Sequence, residues 1–180
     1  MSVIRVAAAA DWPAVRALCA DTGAQGEPVD EAEREVFAER WIAPYGRLRP
    51  DWTFVTAEEG DVVGYLTGAP DTAVFEEERR RAFKPEPDAR EFFPLEFRRQ
   101  LWTRHPAHLH MNVSAAARGR GHGRALLDAF FAALRARGVP SAHLICGGGA
   151  AGYWLKAGFA DARVEQPFPG VRLHAMVRPV

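Results

Sequence analysis

The chain has 180 residues, 48% hydrophobic and 26% charged, with 23 basic side chains against 23 acidic ones and no formal net charge. That supplies the core of one ordinary globular domain over residues 1–180, and the lack of a basic excess disfavours a nucleic-acid surface. No apolar run approaches the roughly 20 residues that span a bilayer. Met1-Ser2-Val3-Ile4-Arg5 lacks a secretion signal's charged-then-apolar layout. Cys19 and Cys146, far apart in apolar contexts, read as buried free thiols of a cytoplasmic protein.

Val3 to Val6 predicts a first strand. Asp11 then reads as the cap of a helix with Pro13 in its first turn and Val15, Leu18 and Cys19 on its inner face. Two glycines and a proline make 22–29 a loop. Asp30 opens a second helix through Trp41, with Val36, Phe37 and Trp41 inward, broken by Pro44 and Gly46. Residues 52–57 alternate, Gly60-Asp61 turns, and 62–66 returns, which together predict a hairpin.

The forty or so residues up to the next strand are too many for a structureless loop. Residues 72–83 predict a helix with a Glu76-to-Arg81 face that pairs with itself in solvent. Pro85 and Pro87 interrupt, and the aromatic stripe of Phe92, Phe93, Phe97 and Trp102 predicts a second helix that either packs on the core or faces a ligand, packing being the commoner use. His108 to Val113 alternates polar and apolar like a strand.

Arg118-Gly119-Arg120-Gly121-His122-Gly123-Arg124 follows that strand. Leu126, Leu127, Phe130, Phe131 and Leu134 come after it at helical spacing, with Gly138 and Pro140 as stop signals. A strand, a glycine-rich turn and a helix N-terminus form an anion cradle, because glycines bring the backbone close to a ligand while unpaired N–H groups and the helix dipole favour phosphate oxygens. Residues 143–146 read as a strand, Gly147-Gly148-Gly149 as a flexible exit, and 150–157 as a short helix. Gly158-Phe159 leads to a further strand, and 171–177 closes the sheet.

Spacing separates the phosphate-binding motifs that compete for the glycine turn. No lysine stands where a Walker loop needs one, and the glycines run G-x-G-x-G without the acidic residue that a dinucleotide fingerprint places about twenty residues later. Arg118, Gly121 and Gly123 match Arg/Gln-x-x-Gly-x-Gly/Ala, which resembles the acyl-CoA pyrophosphate loop of the GCN5-related N-acetyltransferases. Ala150-Ala151-Gly152-Tyr153-Trp154-Leu155-Lys156-Ala157-Gly158-Phe159 resembles the segment after the fifth strand of that family. Gly64-Tyr65, Ala69-Pro70-Asp71-Thr72, the Phe/Pro-rich insertion, Pro106-Ala107-His108-Leu109 and Pro167-Phe168-Pro169 look like the acetyltransferase-like domain of O-GlcNAc hydrolases and its free-standing bacterial relatives.

The resemblance implies an α/β (α+β) fold: a splayed, mixed, mostly antiparallel sheet flanked by helices, with a helical insertion at 72–105 between the third and fourth strands. It implies acetyl-CoA as cofactor and an amine on a small molecule or peptide as acceptor, acetylated by direct ternary-complex transfer in a monomer or homodimer. Met111, Asn112 and Val113 would offer backbone groups to the pantetheine and thioester. Arg118, Gly119, Arg120, Gly121, His122, Gly123 and Arg124 would hold the pyrophosphate, and Ala150 and Tyr153 would flank the thiol end.

An amine with a pKa of about 10.4 is almost wholly protonated at pH 7, so a base assists its attack. Here the sequence departs from the family. Asn112 stands where a carboxylate is common, Trp154 where a tyrosine protonates the thiolate, and Gly147 where an Asn or Asp heads the helix; neither an amide nor an indole performs those proton transfers. His110 is the candidate base, unless it is simply a packed polar residue. Asp71 either orients the amine or caps the helix after it, and of Tyr65 and Tyr153, each of which also reads as a core residue, Tyr153 is the better acid. His105, His108 and His110 lack a metal-ligand pattern, so no metal is expected. The departures leave a non-catalytic acetyl-CoA-binding module as the alternative. A nucleotide-binding regulator is a third reading.

Overall fold

The structure is a computed structural model that describes residues 2–23, 27–83 and 89–180. The expected break at Pro85 and Pro87, and the middle of the 22–29 loop, lie outside the described residues. Seven strands form one mixed, mostly antiparallel sheet flanked by helices: β1 (Val3–Val6), β2 (Thr53–Glu58), β3 (Asp61–Ala69), β4 (Ala107–Val113), β5 (Ser141–Gly147), β6 (Ala160–Phe168) and β7 (Val171–Pro179), in the order β1-β2-β3-β4-β5-β7-β6. The pairs β1–β2, β2–β3, β5–β7 and β6–β7 are antiparallel. The parallel register of β4 with β5 covers Ala107↔Ala142 and His108↔His143. By Cα proximity the chain falls into two compact units, Met1–Ala69 with His110–Ala133, and Pro70–Leu109 with Leu134–Val180.

In the first unit, α1 (Trp12–Thr22) buries Val15, Leu18 and Cys19 against Ile42, Val55 and Tyr65. Asp11 precedes this helix without capping it. Its carboxylate turns back to accept the Ala8 N–H at 2.7 Å and to pair with Arg5, because the turn ahead of the helix offers a nearer donor and a full charge. The second helix also starts later than its sequence suggests: a 3₁₀ turn over Glu31–Glu33 precedes α2 (Arg34–Trp41), and Asp30 makes no side-chain cap. Val36 faces outward, 67% exposed, while Ala38 takes the buried position and Phe37 and Trp41 pack on the core edge.

Pro44 and Gly46 do not end the helical run; they lie inside α3 (Ala43–Leu48). Proline is tolerated in a first turn, and a Cβ on Gly46 would lie 3.1 Å from the Trp12 ring, so glycine there permits close packing. The β2–β3 hairpin turns on Glu59 and Gly60, both at positive φ, with Asp61 already in the return strand. Helix α6 (His122–Ala136) buries Leu126, Leu127, Phe130, Phe131 and Leu134, and Phe130 meets Trp52 and Phe54 edge-on.

In the second unit, α4 (Thr72–Ala82) and α5 (Leu95–Arg104) form the helical segment between the third and fourth strands of the chain. Phe93 and Leu101 pack with Leu173 and Ala175 of β7, while Phe92 is half exposed against Phe168. The charged face of α4 is not wholly solvated: Glu76 is buried and paired with Arg79 at 2.9 Å and with Arg90. The expected flexible glycine exit is ordered, since Gly148 and Gly149 form the first turn of α7 (Gly148–Lys156).

Candidate functional site

The glycine turn is built as its sequence demands. After β4 comes a 3₁₀ turn over Ala115–Ala117, then Gly119 and Gly121 at φ of 76° and 89°, a region that only glycine enters freely. A Cβ at either position would meet no atom within 4 Å, so both face open space. The Gly121 carbonyl accepts the Ala125 N–H at 3.0 Å and opens α6, a helix of 15 residues. The first N–H groups of such a helix have no acceptor within it, and the dipole makes that end positive.

The arginines of the turn are anchored locally. Arg118 donates to the Val113 carbonyl at 3.2 Å, Arg120 pairs with Glu58 at 2.7 Å, and Arg124 pairs with Asp128 at 3.0 Å. His122 points its ring inward, with Nδ1 3.0 Å from Thr56 Oγ1. Its Nε2 is 3.1 Å from a Glu58 carboxylate oxygen yet makes no hydrogen bond to it. The His122 ring therefore serves the fold, and its backbone amide is what the helix start presents. Glu58, which the sequence reading passed over, is the hub of this arrangement.

Upstream on β4, His110 and Asn112 share one strand face and converge on Tyr65 of β3. His110 Nε2 lies 3.0 Å from the Tyr65 hydroxyl, and Asn112 Nδ2 donates to that hydroxyl at 2.8 Å. Tyr65 has no solvent exposure, and burial raises its pKa well above 10. Burial also lowers His110 to about 4, so the ring is neutral at pH 7 although its residue keeps a partly exposed edge. Close by, Gly64 lets β3 and β4 approach, since a Cβ there would lie 2.9 Å from Thr56 Cγ2 and 3.2 Å from the Asn112 carbonyl oxygen.

The remaining candidates lie in the second unit. Asp71 accepts the Val74 N–H at 3.0 Å as the N-cap of α4, the second of the two roles left open for it. Ala150 is exposed on α7, and Tyr153, 44% exposed, packs edge-on against the buried Trp154. Gly147 stands at the α7 N-cap with no side chain to give. Among the described residues no three His, Cys, Asp or Glu side chains gather as a metal site, and no helix is long and apolar enough to cross a membrane.

A glycine turn between a strand and a helix, in this sheet order, is the architecture of an acetyltransferase. Residues 22–159 match the Acetyltransferase (GNAT) family, and the chain belongs to it. The crystal structure of SsHAT is similar over 99% of this chain and 98% of its own, with a TM-score of 0.81 and 28% identity. The ribosomal-protein-alanine N-acetyltransferase of Brucella melitensis aligns over 99% of both chains at 26% identity and a TM-score of 0.60. An agmatine N-acetyltransferase shares the fold over 99% of both chains at 16% identity, with a TM-score of 0.64.

Proposed function

We propose that this chain is an acetyl-CoA-dependent N-acetyltransferase, one domain over residues 1–180, that transfers an acetyl group directly to an amine on a small molecule or peptide. The observation that carries this reading is the turn at Gly119 and Gly121, at positive φ and open to space, running into the start of α6. Backbone amides there suit a pyrophosphate. Arg118, Arg120 and Arg124 add charge, and His122 and Gly123 contribute main-chain N–H groups. Met111, Asn112 and Val113 would present strand backbone to the pantetheine arm, with Ala150 and Tyr153 near the thiol end. Acetyl-CoA, when bound, supplies an activated acetyl thioester.

His110, Asn112, Asp71 and Tyr153 are the side chains proposed for the chemistry. His110 needs no prior deprotonation at neutral pH, and Tyr153 keeps a half-exposed phenol. The segments at Gly64-Tyr65, Pro106-Ala107-His108-Leu109 and Pro167-Phe168-Pro169 support a place beside the acetyltransferase-like domain of O-GlcNAc hydrolases. A cytoplasmic monomer or homodimer is part of the same reading.

A second reading, a module that binds acetyl-CoA without turnover, is favoured by one observation: Asn112 and His110 are tied to a fully buried phenol and Asp71 is tied to a helix start. Thermal stability measured with acetyl-CoA, CoA, ATP and NAD tests the cofactor. A ligand at a hundredfold excess over Kd adds about 2.7 kcal/mol, so stabilisation by acetyl-CoA that is lost in Gly121→Glu is the expected result. Stabilisation by ATP or NAD alone would overturn the reading. Mass spectrometry of an amine panel incubated with acetyl-CoA then separates the enzyme from the binding module.

A further inference from the structure

We infer that Tyr65 and Asn112 hold His110 as the neutral tautomer with its proton on Nδ1, so that the ring donates a hydrogen bond through Nδ1 instead of accepting the amine's proton through Nε2. This assignment of roles rests on the acetyl-transfer reading; the tautomer itself does not.

The protons around one phenol fix the tautomer. Asn112 Nδ2 has hydrogens to give and none to accept with, and it stands 2.8 Å from the Tyr65 oxygen. With that donor on its oxygen, the phenol directs its own proton to His110 Nε2 at 3.0 Å. The amide nitrogen of Asn112 is also 3.3 Å from that same Nε2, an approach that suits a bare ring nitrogen and opposes a protonated one.

A neutral imidazole carries one N–H, so a bare Nε2 leaves the proton on Nδ1. Its lone pair faces two donors in the interior and is unavailable to a substrate. The charged ring is further disfavoured because, among the described residues, no carboxylate hydrogen-bonds His110, Tyr65 or the Asn112 side chain. What remains for chemistry is the Nδ1–H, a donor of the kind that steadies negative charge developing on an oxygen. An acceptor amine would then lose its proton to water before attack. In this scheme the side chains of Tyr65 and Asn112 act by positioning the His110 ring.

The ¹⁵N shifts of the two ring nitrogens of His110, recorded at pH 7 without ligand, report the tautomer directly. A protonated Nδ1 and a bare Nε2 are expected; the reverse pattern overturns the proposal. In Tyr65→Phe, which keeps the ring in the core, the fixed tautomer is expected to give way to exchange between both forms. An unchanged spectrum would mean that Tyr65 does not set it.

For the role, His110→Asn places an amide N–H near the Nδ1 position, whereas His110→Ala places nothing. With acetyl-CoA and either agmatine or an alanine-ended peptide as probes, Asn is expected to retain turnover within about tenfold of wild type and Ala to lose at least a hundredfold. Equal loss in both would restore the base and overturn the donor. If wild type binds no acetyl-CoA, the acetyl-transfer reading fails and the nitrogen spectrum alone decides this one.

Discussion

The Tyr65 hydroxyl and His110 Nε2 stand 3.0 Å apart in the interior of the first unit, a neutral pair with no carboxylate among its hydrogen-bond partners in the described residues. In the second unit His143 is similarly placed, its Nδ1 2.7 Å from the His105 carbonyl and its ring 6.1 Å from His108. Burial is the leading cause that lowers both His110 and His143 to about 4.

Those two histidines make stability depend on pH in a defined window. Their folded pKa lies below the unfolded value of about 6.5, so the unfolded chain binds more protons between the two. Stability is therefore full above about pH 6.5 and is lost as pH falls towards 4, by an amount on the order of a few kcal/mol. Asp11, held below its ordinary range by the hydrogen bond from Arg5, acts lower still and does not confuse the window. Urea midpoints from pH 7.5 to 4.5 check this, and His143→Asn should flatten the slope. A flat wild-type profile would show that both rings accept protons without penalty.

Glu58 sits where a phosphate-binding loop least needs a carboxylate, since it holds Arg120 at 2.7 Å and lies 3.1 Å from His122 Nε2. Removing its charge while keeping its shape should release Arg120 towards the turn and weaken a local repulsion of anions. Glu58→Gln is expected to tighten CoA binding several-fold at low salt, with the gain shrinking as ionic strength rises. Calorimetric titration at two salt concentrations measures both. Weaker binding in the variant would mean instead that Glu58 props Arg120 in its working position.

Glu76 is a structural carboxylate. Its side chain is 7% exposed and bonds Arg79 and Arg90, which are 18% and 22% exposed. Glu76→Ala removes a buried carboxylate that bonds two guanidinium groups, and unfolding should become easier by about 2–3 kcal/mol, under the usual figure for a broken buried pair because both arginines keep some contact with water. A denaturant midpoint within error of wild type would count against that bond network.

The parts of the fold that were legible in the sequence have short-range causes. The β2–β3 hairpin, the helix after the glycine turn and the closing strand each follow from alternation, helical spacing or a turn glycine within a few residues. The turn at Gly119 and Gly121 was legible for the same reason. The misread positions depend on partners far along the chain. Val36 gives way to Ala38 because α2 packs on α1, where a small residue fits. Glu76 is buried because Arg90, fourteen residues on, reaches it. Asp11 has Arg5 and the Ala8 amide as nearer claims than its own helix. In the site, the period-two spacing of His110 and Asn112 marked a common face, but nothing local to β4 says that Tyr65 meets them from β3. Glu58 was equally hidden, one residue beyond the strand read at 52–57.

Gly64 offers the sharpest test of how closely that part of the sheet is packed. A Cβ there would lie 2.9 Å from Thr56 Cγ2 and 3.2 Å from both the Asn112 carbonyl oxygen and Val113 Cγ2. The backbone oxygen cannot rotate away, so Gly64→Ala must push β4 outward at Asn112, whose amide bonds Tyr65 at 2.8 Å. Overpacking of this kind costs about 1–3 kcal/mol. Because Met111 to Val113 would move with it, acetyl-CoA binding should weaken alongside stability. Gly152→Ala is the contrasting substitution: it lies within α7, its Cβ would meet nothing within 4 Å, and alanine there should add about 0.4–1 kcal/mol by restricting the unfolded chain. Opposite signs for the two variants in one urea series would tie the effect at Gly64 to contact with β4. Two variants of the same sign would refute that packing argument.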